Sequence, residues 1–150
     1  MKCKMFFPVI ILSFLFTSFI YAQGKASYDM IGKNANEVIK TFGKPVHQDN
    51  SNPSMRCLFY KTAAEQIIFV ADKNGVYQIE STEWYNSKNA AQKAFDKFIS
   101  DCLAKGFTRD SIDVYNYVLR RPGSRIELSF FGDTSQNRYQ VIAKANRSEN

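Results

Sequence analysis

The sequence predicts an α+β fold: tandem helix-plus-three-strand units forming one antiparallel sheet with two helices packed on one face. Three observations predict it. Two stretches, within 31–46 and 86–107, carry apolar residues at helical spacing. Three strand-like runs follow each stretch. Turn signals between the runs, Asn74-Gly75 above all, join neighbouring strands as hairpins.

The chain opens with Lys2 and Lys4, then an apolar run that ends at Ala22. This is the pattern of a secretory signal peptide over residues 1–22, leaving 23–150 as a single α+β domain. The run is also about long enough to span a membrane; cleavage after Ala22 would leave no stable membrane span. The formal charge of the whole chain is +6, and the basic excess lies after Ser87. Such an excess serves solubility and can attract an anionic surface. An exported chain meets little nucleic acid, so that partner class is set aside. Cys57 and Cys102 remain after the leader, and an exported protein can keep a disulfide between them. Two buried thiols are the plainer reading.

The first helix is expected over "NANEVIKTF", with Ala35, Val38, Ile39 and Phe42 on one side. Asn34 caps it, Glu37 completes a capping box, and Gly43 and Pro45 end it. His47 to Met55 reads as a polar loop holding the chain's single histidine. Strands are expected at Met55–Thr62, Glu65–Asp72 and Gly75–Tyr85. The first two are apolar in both registers: Leu58 and Tyr60 compete with Cys57 and Phe59, and Ile67 and Phe69 with Ile68 and Val70. The second helix carries Ala91, Phe95, Phe98 and Cys102, widened by Ala94, Ile99 and Leu103, and stops at Gly106. Further strands are expected at Ser111–Leu119, Ser124–Phe131 and Arg138–Ala145. In the last two, Ile126, Leu128 and Phe130 share a side, as do Tyr139, Val141, Ala143 and Ala145.

The stretch from Ile31 to Glu80 resembles small exported domains related to the SmpA/OmlA outer-membrane lipoproteins and the beta-lactamase-inhibitor-protein-like (BLIP-like) fold. Gly32, Asn34, Val38, Gly43 and Pro45 carry the resemblance, with "CLFYKT" and Asn74-Gly75 after them. It implies a bacterial envelope protein, secreted or periplasmic. The chain lacks the cysteine that such lipoproteins place at the cleavage point, which speaks against an anchored component. Folds of this kind host unrelated tasks.

No paired carboxylates, activated serine, P-loop or haem motif is readable, and no cofactor or metal site is expected. His47 has no nucleophile placed to complete a catalytic pair. The expectation is a non-enzymatic binding protein whose partner is an envelope protein or glycan, with a homodimer as a further arrangement. The alternatives are a small hydrolase or isomerase with a sheet-lined pocket, and a structural envelope component. The binding surface is expected on the sheet face away from the helices, with Tyr115, Tyr117 and Phe131 on it and Trp84 near it. Arg120, Arg121 and Arg125 should stand at its rim, where guanidinium forks could grip anionic groups or simply protect a solvated edge.

Overall fold

The computed structural model describes residues 27–148; the expected leader lies outside them. A single 3-10 turn, Ser27–Met30, precedes α1 (Ala35–Phe42). Then come β1 (His47–Asp49), β2 (Arg56–Lys61), β3 (Glu65–Asp72) and β4 (Gly75–Tyr85). Helix α2 (Lys88–Ala104) is followed by β5 (Thr108–Asp113), β6 (Asn116–Arg121), β7 (Ser124–Asp133) and β8 (Arg138–Arg147). All eight strands form one antiparallel sheet in the order β1-β2-β3-β4-β8-β7-β6-β5. An α+β chain with one antiparallel sheet is therefore what the structure has.

Two strands were not expected, so each helix is followed by four rather than three. The expected polar loop begins with β1, where His47, Gln48 and Asp49 pair with Phe59, Leu58 and Cys57. A three-residue polar edge strand has no hydrophobic period to reveal it. The single strand expected at Ser111–Leu119 is a hairpin instead. The Asp113 carboxylate accepts from the Tyr115 amide at 2.7 Å and from the Asn116 side chain. This Asx-type turn reverses the chain. Ile112 and Val114, alternating with Tyr115 and Tyr117, disguise it as one continuous strand.

Both helices lie on the same face of the sheet. Directly opposed residues of paired strands point to the same side, and Leu58, Phe69, Ile79, Ala145, Ile126 and Leu119 form one such row. Phe42 of α1 meets Phe69 with ring centroids 5.0 Å apart. Phe95 of α2 meets Phe130 at 5.9 Å, and Phe130 shares the Phe69 side through Val141 and β8. The core lies between this face and the helices, and Phe69, Phe95, Leu58, Ile79 and Ile126 are fully buried there.

Local chemistry fixes the helix ends. Asn34 accepts from the Glu37 amide at 3.0 Å while Glu37 accepts from the Asn34 amide at 3.0 Å, which is a complete capping box. Ser87 accepts from the Ala90 amide at the start of α2. The link before α1 is itself hydrogen-bonded to the β3–β4 hairpin: the Gly32 amide donates to the Val76 carbonyl and the Val76 amide to the Lys33 carbonyl, both at 2.8 Å. Gly75 makes that approach feasible. Its φ is +102°, and a Cβ there would stand 2.7 Å from the Gly32 carbonyl oxygen. Tyr28 ties the same segment to Phe98 of α2 and to Phe107 just beyond it by edge contacts, beside a 2.5 Å Lys105–Asp29 ion pair.

The disulfide between Cys57 and Cys102 is not formed; both thiols are free. Cys57 lies in the Asp49–Cys57–Val70 row, on the side opposite to Leu58 and hence away from the helices. Cys102 is wholly buried on α2, beside Tyr28. The sheet stands between them.

Candidate functional site: the helix-free face

The face away from the helices is built from the alternate residues of each strand. One row runs Cys57, Val70, Gln78, Asn146, Arg125, Arg120. The next runs His47, Phe59, Ile68, Glu80, Lys144, Glu127, Val118. Ile142 lies between Thr82 and Ser129, and Gln140 between Trp84 and Phe131. Two apolar zones result. One holds Cys57, Phe59, Ile68 and Val70 on β2 and β3, with the His47 ring 5.3 Å from that of Phe59. The other holds Trp84, Ile142 and Phe131 around β8. The side chains of both zones are partly or fully exposed, Phe131 most of all at 55%.

Beside the zones the charges are already matched. Lys144 meets Glu80 at 3.3 Å, Arg125 meets Glu127 at 2.8 Å and Arg120 meets Asp110 at 2.9 Å. Pairs this exposed contribute little to stability. They do occupy the arginine forks, so the rim has less to offer an anionic group than the sequence alone suggested.

The expected site residues divide between the faces. Trp84, Phe131, Arg120 and Arg125 belong to the helix-free face. Tyr115, Tyr117 and Arg121 do not, and this corrects the expected surface. Tyr117 is directly opposed to the buried Leu128 and packs against Phe95 of α2 at 5.7 Å. Tyr115 stacks on Phe130 at 5.5 Å, on the helix side of the hairpin tip, and is 40% exposed. The Arg121 guanidinium lies 4.5 Å over the Phe107 ring, near Asp29. The physical reason is that β6 is apolar on both sides, with Tyr117 and Leu119 on one and Val118 on the other, so alternation alone does not choose the face; Tyr115 falls in the unforeseen turn at Asp113. Phe59, Ile68 and Val70 also belong to the helix-free face, where the sequence pattern alone leaves the register open. Their signal was present: strands apolar in both registers expect contact on both faces.

A second polar grouping lies on the helix side. Glu65 and Glu83 are direct partners across β3 and β4, and the Tyr85 hydroxyl donates to Glu83. Nothing in the local sequence signals this carboxylate pair, because the two residues are eighteen positions apart and meet only through the hairpin register. Burial, and then the Glu83 charge, push the Glu65 carboxyl above its ordinary range. Burial likewise pushes the Tyr85 hydroxyl up, reinforced by Glu83 and Glu65. Among the described residues, no group of three or more His, Cys, Asp and Glu is arranged to hold a metal ion, and no helix is long and apolar enough to cross a membrane.

No family model matches the chain, and no curated protein does. Among solved structures, a cysteine-rich secretory protein from Staphylococcus aureus is similar over 83% of this chain and 47% of that one, with TM-score 0.48 and 7% identity. An extracellular protein containing a SCP domain from Bacillus anthracis is similar over 84% of this chain and 47% of that one, with TM-score 0.43 and 9% identity. The chain spans about half the length of each. Likenesses this distant carry no functional conclusion.

Proposed function

We propose that this is a secreted or periplasmic, non-catalytic binding protein that docks a protein partner on the helix-free face of its sheet. The observation that carries the reading is the composition of that face. A solvated antiparallel face alternates polar residues with the buried apolar ones, yet this face carries Phe59, Ile68, Val70, Trp84, Ile142 and Phe131 at least partly in solvent. Apolar surface gathered in patches marks partner sites, and aromatic side chains supply most of the energy in such contacts. Mutually neutralised ion pairs beside the patches favour a partner patch of low net charge over a polyanion. Export rests on the leader pattern of residues 1–22. The resemblance to SmpA/OmlA and BLIP-like domains is part of the same reading, and the helix-then-strands order of both halves supports a tandem origin.

The test compares wild type with Phe59→Ser and Phe131→Ser variants in cross-linking capture from envelope extract. Each captured protein is then purified and titrated directly. Binding that weakens at least tenfold in the variants, while both stay folded, supports the reading. Unchanged binding moves the site elsewhere, and reproducible turnover of a substrate by the purified protein overturns the non-catalytic reading.

A further inference from the structure

Glu65 and Glu83 face each other on the helix side at the open end of the β3–β4 hairpin, where both are half-buried. Like charges directly opposed across two strands repel, and partial burial weakens the screening that would relieve them. The surrounding elements supply little compensation. The β2–β3 turn contributes the Thr62 hydroxyl, which accepts from the Glu65 backbone amide at 3.0 Å. Its neighbour Lys61 is exposed and belongs to the opposite face. Strand β8 contributes Val141 and Tyr139, opposed to Glu83 and Tyr85. Tyr60 of β2 has its hydroxyl committed to the Gly43 carbonyl at the end of α1. The first turn of α2 brings Lys88, which is exposed. Among the described residues, Tyr85 alone donates a side-chain hydrogen bond to the pair, through its hydroxyl to Glu83.

We propose that Glu65 and Glu83 form a proton-controlled latch at the end of the β3–β4 pair: closed while one carboxyl keeps its proton, loosened when both are charged. The sign follows from linkage. An acid whose folded-state pKa is raised contributes stability that is full below the ordinary glutamate range, about 4.3, and lost as pH rises through the folded-state value. Glu65 is such an acid, so the latch opens on the neutral side of that range. The element it frees is identifiable. Trp84 follows Glu83 in β4, its amide donates to the Ala64 carbonyl at 2.9 Å, and its side chain lies on the helix-free face. Protonation on one side of the sheet thereby bears on the ordering of a side chain on the other.

Trp84 is the chain's single tryptophan, so it reports directly. Its emission, and the protection of its amide against hydrogen exchange corrected for intrinsic rate, are measured from about pH 4 to pH 8. The expected result is a loss of protection and a change of emission with a midpoint above the ordinary glutamate range. In Glu65→Gln, which keeps a neutral hydrogen-bonding side chain, protection should stay high throughout. Flat wild-type protection overturns the latch, as does an unchanged midpoint in Glu65→Gln. Should that variant fail to fold, carbon-detected titration of the wild-type glutamate carboxyls decides: a Glu65 midpoint at or below the ordinary value overturns the proposal, and one above it supports it.

Discussion

Across β2 and β3 the two faces of the sheet are made of similar material. Leu58, Tyr60, Ile67 and Phe69 point one way, and Cys57, Phe59, Ile68 and Val70 the other. The first set is buried, none more than 8% exposed; the second remains partly in solvent. Strand composition therefore does not decide which side becomes the interior. The helices decide it. Phe42 of α1 and Phe95, Ile99 and Cys102 of α2 must be buried against something, and the side they choose becomes the core. The other side keeps its apolar residues with no helix over them, and that surplus is the best functional clue in the molecule.

The contrast is sharpest in the two cysteines, one on each side. Burial pushes the Cys102 thiol up to about 11, with smaller opposing influences from Tyr28 and Lys105. Cys57 is also raised, by burial and then by Asp49, but its side chain is only partly covered. Thiolate content and access together set alkylation rate. At mildly alkaline pH, Cys57 should react with iodoacetamide faster than Cys102 by about a hundredfold or more. Peptide mapping after timed labelling checks this, and comparable rates would erase the distinction between the faces.

Substitutions in the covered layer should cost most. Phe95 is 1% exposed and touches Tyr117 and Phe130. Phe95→Ala should lose about 3–5 kcal/mol in denaturant unfolding. A loss below about 1 kcal/mol would mean that α2 is not the lid this packing describes. Backbone contact holds the same layer. Gly75→Ala forces a Cβ onto the Gly32 carbonyl at a positive φ, and should cost roughly 1–3 kcal/mol. Gly106 is the natural control: its φ is +82°, but a Cβ there meets nothing within 4 Å. Gly106→Ala should therefore cost less than Gly75→Ala in the same unfolding experiment, and equal costs would remove the steric part of the argument.

Much of this was readable beforehand, for reasons that differ by element. The α1 capping box, the Asn74-Gly75 hairpin and the α2 stripe are local, so their chemistry lies within a few residues of sequence. Strands β7 and β8 alternate cleanly, and their buried sides came out as expected. What failed was non-local or disguised. β1 is held only by its partner strand. The Asp113 turn is hidden because Ile112 and Val114, alternating with Tyr115 and Tyr117, read as one strand, and Tyr117 was misplaced because β6 is apolar on both sides. The Cys57–Cys102 bridge failed because it needed a face assignment that β2 alone could not supply. Glu65 and Glu83 meet only through register, which single-strand patterns do not contain.

The smallest expected stability effect tests the helix-free face itself. Phe131 is 55% exposed and lies opposite Gln140, with Trp84 beyond it in the same row. Serine at this position removes little buried area and leaves the β7–β8 backbone pairing intact. It gives up some strand preference, worth a fraction of the roughly 1 kcal/mol span between residues. Phe131→Ser should therefore shift unfolding free energy by no more than about 0.5 kcal/mol, while lowering partner affinity. A loss near 2 kcal/mol would mean that something covers the aromatic in solution, and a second copy of the chain is the first occupant to examine. Sedimentation over a range of concentrations distinguishes that case: a monomer that remains monomeric on dilution leaves the face open, whereas a dimer that dissociates in step with the lost stability assigns the face to self-association instead of to a foreign partner.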